Sequence, residues 1–245
     1  MRAVAVIPAR YRSTRFPGKP LAPIAGRSML QRVWEGTRTA KSLRAVLVAT
    51  DDERIADACR EFGAEVVMTR GDHPTGTDRL AEVAETLEDD VVVNVQGDEP
   101  LIEGFVVDAA VEALCRDPQV PMATVVHALE GEAIDNPNRV KVVLDRSGEA
   151  LYFSRSRIPA LHNSEAPPHY WQHVGLYAYR REFLVEYVRL EPTPAERAEA
   201  LEQLRALENG HRIRCAIVEG WESAPVDVPS DVARVEARLR EMGRD

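Results

Sequence analysis

Short apolar runs alternate with amphipathic stretches through the first half of the chain. Residues 3–8 (Ala-Val-Ala-Val-Ile-Pro) form a continuous apolar run closed by a proline, the pattern of a short buried strand. Residues 28–39 place Met29, Leu30, Val33, Trp34 and Thr37 on one helical face. A second strand is expected over 44–50. Thr50 and Glu53 then stand at capping-box spacing, ahead of a helix that turns Ile55, Ala56, Cys59 and Phe62 inward and can end at Gly63. A strand over 65–68, a helix over 77–88, a strand over 91–95, a helix over 105–116 and an extended run over 123–126 follow. Strand and helix in regular alternation predict right-handed βαβ units and a mostly parallel sheet.

After about residue 135 the rhythm changes. Residues 141–144 and 174–179 read as strands, with an irregular stretch over 162–169 between them. A helix over 195–209, a strand over 213–218 and a closing helix over 230–242, with Ser230 as its cap, complete the pattern. No internal repeat and no Gly/Ser linker interrupts it. The expectation is one α/β domain spanning 1–245, with an inserted subregion over approximately 135–180.

Composition adds exclusions. With 44% hydrophobic and 29% charged residues the chain is an ordinary globular one, and apolar runs such as 91–95 are too short to span a bilayer. A first strand that begins right after Met1-Arg2 leaves no room for a signal peptide. Cys59, Cys115 and Cys215 are few, odd in number and far apart, which predicts free thiols and suits a reducing cytoplasm. The net charge of -9 argues against a nucleic-acid binder.

The distribution of charge says more than its sum. Residues 1–34 hold Arg2, Arg10, Arg12, Arg15, Lys19, Arg27 and Arg32 and no Asp or Glu. In a chain where acids outnumber bases, a local anion site is the simplest reason.

Parallel open sheets bind ligands at the carboxyl ends of their strands, and each predicted strand is followed by a polar loop. The loop over 8–19 follows the first. There Arg10, Arg15 and Lys19 are spaced to wrap a triphosphate, Gly18 permits close approach, and Pro17 and Pro20 stiffen the backbone. Neither a Walker loop nor a dinucleotide fingerprint is present. Gln96-Gly97-Asp98-Glu99-Pro100 follows the fourth strand, where a carboxylate facing a phosphate loop is suited to Mg²⁺. Asp227, between Pro225 and Pro229, is a candidate second carboxylate. The histidines form no metal-ligand cluster, and no Ser-His-Asp arrangement or nucleophile elbow is visible.

These segments, taken together, resemble a known family. Ile7-Pro8-Ala9-Arg10-Tyr11, Ser13-Thr14-Arg15 and Pro17-Gly18-Lys19-Pro20-Leu21 resemble the signature loop of the 3-deoxy-manno-octulosonate (Kdo) cytidylyltransferases. The likeness continues through Ala49-Thr50-Asp51, Asp72-His73, Gly76-Thr77, Arg79 to Val83, Val93 to Pro100, Ala150 to Arg155, His173 to Tyr177, Leu201 to Arg205 and Val226-Asp227. It implies a three-layer Rossmann-like nucleotidyltransferase fold, with residues 135–180 serving sugar binding and dimerisation. It also implies CMP transfer from CTP to Kdo for lipopolysaccharide synthesis, with Mg²⁺ as cofactor and a homodimer as the assembly.

On that resemblance Pro8, Ala9, Arg10, Arg15, Lys19, His73, Gly76, Thr77 and Asp98 bind CTP, and the segment around His73 reads cytosine. Gln96, Arg155, His173, Tyr177, Glu202 and Gln203 surround the sugar acid, Arg155 facing its carboxylate. Asp98 and Asp227 hold the metal, and Lys19, Arg15, Asp98 and Asp227 carry the catalysis. Two departures stand out: Thr75 where the family has serine, and a shorter stretch over 160–170. The alternative acceptor is another acidic sugar, 8-amino-Kdo or one like sialic acid.

Overall fold

The computed structural model describes residues 1–13, 15–162 and 168–244. Thr14 of the signature loop and residues 163–167 of the shortened stretch lie outside the described residues. In chain order the strands and helices are β1 (Ala3–Ala9), β2 (Pro23–Ile24), β3 (Arg27–Ser28), α1 (Met29–Thr37), β4 (Leu43–Thr50), α2 (Glu53–Glu61), β5 (Glu65–Met68), α3 (Gly76–Glu85) and β6 (Val91–Asn94). Then come α4 (Gly104–Cys115), β7 (Met122–Leu129), β8 (Lys141–Leu144), β9 (Ala150–Ser154), β10 (Tyr170–Arg180), α5 (Arg181–Tyr187), α6 (Pro194–Glu199), α7 (Leu204–Glu208), β11 (Ile213–Ile217) and α8 (Ser230–Glu241). The chain divides into two compact units, Met1–Asp108 with Ser223–Asp245, and Ala109–Glu222.

In the first unit β1 pairs in parallel with β4 on one side and with β6 on the other, and β4 pairs in parallel with β5. The strand order β6-β1-β4-β5 steps outward from β1 to β5 and then returns to the far side of β1. With right-handed crossovers, that reversal puts α3 on the opposite face from α1 and α2. It also makes the crevice between the carboxyl ends of β1 and β6 the topological switch point. β1 is buried at every position but Pro8. Pro8 lies beyond the last residue paired with β6, Val6, so its missing N–H breaks no bond on that side.

Local chemistry explains most boundaries. Ser28 caps α1, accepting from the Gln31 N–H at 3.2 Å, and the face predicted for that helix is buried. Ala25 and Gly26, both at positive φ, turn the β2–β3 hairpin as a type I′ pair requires. The cap of α2 is Asp52, which accepts from the Arg54 N–H at 3.1 Å, in place of the expected Thr50. Asp52 stands one residue before the helix, whereas the Thr50 hydroxyl accepts from the Asp52 N–H at 3.2 Å and shapes the approach. Gly63 ends α2 at φ +83°, as expected.

The carboxy-terminal segment returns to the first unit. Ala224, Val226, Val235 and Leu239 join Ile24, Met29 and Leu101 in one buried cluster. Burying a Val or Leu side chain contributes roughly 1.5–3 kcal/mol, so this cluster anchors the Asp227 loop firmly. Ser230 makes no capping bond, because Pro229 occupies the cap position of α8. Asp231 instead ties down the approach to the helix, accepting from the backbone N–H groups of Asp227 at 2.8 Å and Val228 at 3.1 Å.

The second unit is mixed. β7 pairs in parallel with β11 and antiparallel with β10, while β8 pairs antiparallel with β10 and β9. Strand β9 and helix α5 have no counterpart in the periodicity reading. The single helix expected over 195–209 is two helices, α6 and α7, parted at Ala200 with φ +50°. The cause is tertiary. The carbonyls of Glu199 and Ala200 accept from Arg155 at 2.7 and 3.3 Å, so they turn away from a helical ladder.

Candidate active site

The switch-point crevice of the first unit holds a cavity of about 330 Å³. Its walls come from the β1 loop (Pro8, Ala9, Arg10, Lys19), the start of α3 (Thr75, Gly76) and the segment after β6 (Gln96, Asp98). Two glycines let these walls meet. A Cβ on Gly97 would stand 3.2 Å from the Pro8 carbonyl oxygen, and one on Gly76 would stand 3.3 Å from the Pro8 ring. Gly18, at φ +71°, closes the β1 loop through its N–H to the Tyr11 carbonyl at 3.0 Å, with its α-carbon against the Tyr11 ring. The Arg54 guanidinium lies on that ring, 3.4 Å from its centroid.

The cations of the loop divide into two kinds. Lys19 Nζ donates to Asp98 Oδ2 at 2.7 Å and to the Val226 carbonyl at 2.9 Å, and lies 3.6 Å from Asp227 Oδ1. Arg15 donates to the same Asp227 oxygen at 3.0 Å. Arg10 instead donates to the carbonyls of Pro74, at 3.3 Å, and Thr75. Carbonyls orient a guanidinium without cancelling its charge, and no ion pair to Arg10 forms among the described residues.

The two acidic segments are held together by the backbone, the Val226 N–H donating to the Asp98 carbonyl at 2.9 Å. Beside them the buried Glu99 carboxylate accepts from the Ser223 hydroxyl and from the Ala224 N–H at 3.1 Å. Asp98 and Asp227 therefore converge on one cationic position, although they lie 129 residues apart in sequence, 227 minus 98. No cluster of three or more His, Cys, Asp or Glu suited to a metal exists among the described residues. A pair of carboxylates is nonetheless a normal protein share for Mg²⁺, which keeps waters and takes substrate phosphate oxygens for its other positions.

Helix α3 starts at the cavity with a complete capping box. The Thr75 hydroxyl accepts from the Asp78 N–H at 3.2 Å, while the Asp78 carboxylate accepts from the Thr75 N–H at 3.0 Å. The serine-to-threonine departure therefore leaves the capping chemistry intact. His73 Nε2 pairs with the Glu82 carboxylate. Burial opposes ionisation of Glu82, yet hydrogen bonds from His73 and the Arg70 N–H outweigh it and hold its carboxyl below the usual range. Below them the fully buried Arg79 ties α3 to Asp51, at 2.8 Å, and to Thr69. Glu82 enters the sequence reading only within the motif Arg79 to Val83, with no role of its own, because its partner His73 is fixed by the fold.

Five of the six residues expected around the sugar lie in the second unit, and Gln96 lies in the first. Arg155 donates to three carbonyls, Glu199 at 2.7 Å, Pro137 at 3.2 Å and Ala200 at 3.3 Å, so its guanidinium, like that of Arg10, is oriented by main-chain oxygens. Under it the buried Lys141 donates to the Asn136 carbonyl at 3.0 Å and to the Arg155 carbonyl, and burial pulls its pKa down. The His173 ring packs between Phe153, at 5.1 Å, and Tyr177, at 5.3 Å. Burial depresses the His173 pKa to about 3 and raises that of Tyr177. His173 Nε2 and Gln203 Nε2 are buried and have no partner among the described residues. Glu202 stands 4.0 Å from Arg205. The sequence reading assigns Lys141 and Glu199 no role, since their partners, Asn136, Ser154 and Arg155, are set by the fold.

Comparison with known proteins gives this geometry its context. The family model for cytidylyltransferases matches residues 4–213. The 3-deoxy-manno-octulosonate cytidylyltransferase of Syntrophotalea carbinolica is 52% identical, with 98% of this chain and 99% of the relative covered. The enzyme of the same name from Myxococcus xanthus is 51% identical, with 99% and 98% covered. A solved structure of CMP:2-keto-3-deoxy-manno-octonic acid synthetase, complexed with CTP, superposes with a TM-score of 0.94 at 44% identity, covering 99% of this chain and all of that one. A parallel-sheet crevice walled by basic and acidic loops and full-length likeness at this level agree, and the chain belongs to the cytidylyltransferase family, among the 3-deoxy-manno-octulosonate cytidylyltransferases.

Proposed function

We propose that this chain transfers CMP from CTP to Kdo, releasing pyrophosphate and forming CMP-Kdo for lipopolysaccharide synthesis. The observation that carries the reading is the convergence of Asp98 and Asp227 on one cation beside a loop whose Arg10 has no acidic partner among the described residues. Arg10, Arg15 and Lys19 hold the triphosphate, Pro8 and Ala9 line the nucleotide site beside them, and Gly76 and Thr77 belong with His73 to the segment that recognises cytosine. The positive end of α3 adds to that field. His73, fixed by Glu82, helps recognise cytosine. In the second unit Arg155 takes the sugar-acid carboxylate, and His173, Tyr177, Glu202 and Gln203 are the other residues assigned there to the sugar; Gln96, in the first unit, is assigned to the same substrate.

The anomeric hydroxyl attacks the α-phosphorus in line, forming the new P–O bond as the bond to pyrophosphate breaks and the hydroxyl proton passes to solvent. Asp98 and Asp227 would hold Mg²⁺, which when bound would supply charge neutralisation at the α-phosphate and favour loss of the hydroxyl proton. Arg15 and Lys19 offset the charge that develops on the leaving pyrophosphate. Residues 135–180 form the subregion of a single nucleotidyltransferase domain through which two copies pair as a homodimer. No helix among the described residues is long and apolar enough to cross a membrane, and a cytoplasmic location is part of the same reading.

Pyrophosphate release with CTP, UTP and ATP, each offered Kdo, 8-amino-Kdo and sialic acid, tests the proposal. CTP with Kdo is expected to give the highest kcat/KM. Preference for another acidic sugar would move the assignment to that acceptor, and no release with any pair would end the reading.

A further inference from the structure

Asp98 and Asp227 are already neutralised from within. Lys19 Nζ, 2.7 Å from one carboxylate and 3.6 Å from the other, stands where a shared divalent cation would have to bind. Arg15 covers the outer side of Asp227 at 3.0 Å. Two negative charges thus meet two positive ones, and a divalent ion entering with Lys19 in place would meet a like charge within a few ångströms. An ammonium on a flexible four-carbon stem can leave without moving the backbone. The backbone here is pinned independently, by Gly18 against Tyr11 and by the Val226 N–H on the Asp98 carbonyl.

We propose that Lys19 is the resident counter-ion of Asp98 and Asp227 in the nucleotide-free chain. The carboxylate pair takes a divalent cation well only when a triphosphate draws the ammonium away. The inference rests on the reading of Asp98 and Asp227 as the metal ligands. Its consequence is that metal and nucleotide enter together, each raising the affinity of the other by the same factor. It also predicts that removing a lysine assigned to the triphosphate tightens metal binding to the free protein.

Mn²⁺ binding, followed by electron paramagnetic resonance without nucleotide, provides the test on the full chain. Lys19→Met is expected to bind Mn²⁺ at least about tenfold more tightly than the native protein, a gain equal to about 1.4 kcal/mol. Lys19→Gln, which keeps a neutral donor to Asp98, gives the same direction should the methionine variant fold poorly. Adding α,β-methylene-CTP should tighten Mn²⁺ binding to the native protein more than to either variant.

Unchanged or weaker Mn²⁺ binding in both folded variants overturns the counter-ion role. If, in that case, Asp98→Asn still abolishes the Mn²⁺ that the native protein binds with the analogue, the metal assignment stands alone. Should the gain in Lys19→Met survive the further change Asp98→Asn, the ion is bound elsewhere, and the inference and the metal assignment fall together.

Discussion

Asp98 shows how much one side chain is asked to do. Its carboxylate is about one-quarter exposed and bonded to Lys19, and the residue lines the cavity. Loss of one preorganised electrostatic contact in an active site typically costs about 3 kcal/mol, roughly a hundredfold in rate. Asp98→Asn should therefore lower kcat at least about a hundredfold while CTP still binds, as equilibrium titration alongside turnover would show. Near-normal turnover at saturating Mg²⁺ would sink the role assigned to this residue.

His173 makes a different prediction, about stability. Its folded-state pKa of about 3 lies below the ordinary value of 6.5, so the unfolded chain takes up the extra proton between those limits. The stability it contributes is present above pH 6.5 and is lost as the pH falls toward 3. One proton sets a maximum slope of about 1.4 kcal/mol per pH unit. Urea unfolding from pH 7 to pH 4 should thus show a shallower loss in His173→Phe than in the native chain; equal slopes would mean that the imidazole is charged in the fold.

At the scale of elements, packing overrides local preference in identifiable places. A Cβ on Gly104, the first residue of α4, would stand 2.2 Å from the Ala40 backbone nitrogen. A Cβ on Gly36, in α1, would stand 2.1 Å from the Ile102 carbonyl oxygen. Neither obstacle is a flexible side chain, so the backbone itself must move, and overpacking of this kind costs about 1–3 kcal/mol. Gly104→Ala should lower Tm by several degrees in calorimetry. Ala200 offers the opposite case. It holds φ +50° to present its carbonyl to Arg155, a conformation that glycine adopts freely. Ala200→Gly should be neutral or raise stability by up to about 1 kcal/mol, and a clear loss of Tm would show that the kink is not strained.

These elements also show what a linear reading can reach. The periodicity over 28–39 is encoded within a few residues, so it is visible in one dimension, whereas the capping-box spacing of Thr50 and Glu53 misses the true cap, Asp52. The break at Ala200 is not visible there, because the groups that cause it belong to Arg155, 45 residues earlier, 200 minus 155. Continuous apolar runs locate β1, β4, β5 and β6, whereas β9, in which Leu151 and Tyr152 are both exposed, has no counterpart in that reading.

For the whole molecule, the first unit is completed by a chain end. Residues Ser223–Asp245 return after the entire second unit and bring Asp227 to Asp98. The thiols give a global check on this packing. Cys59 and Cys215 are buried, and burial pushes both up to about 12, whereas Cys115 is exposed. One thiol should therefore react quickly with a disulfide reagent in the native protein and three after denaturation. Rapid reaction of all three without denaturant would contradict the burial described.

The linear order of residues determined the alternating α/β pattern, the basic loop after β1 and the acidic turn after β6, because each is a local signal. The family motifs also pointed from sequence alone to cytidine chemistry. Only the tertiary structure decided that Lys19 bridges Asp98 and Asp227, that Arg10 and Arg155 are held by carbonyls, and that Glu82 fixes His73. The physical reason is that charge pairing depends on distance in space. Strand order, glycine-sized contacts and a returning carboxy-terminal segment set that distance, and none of them is written in neighbouring residues.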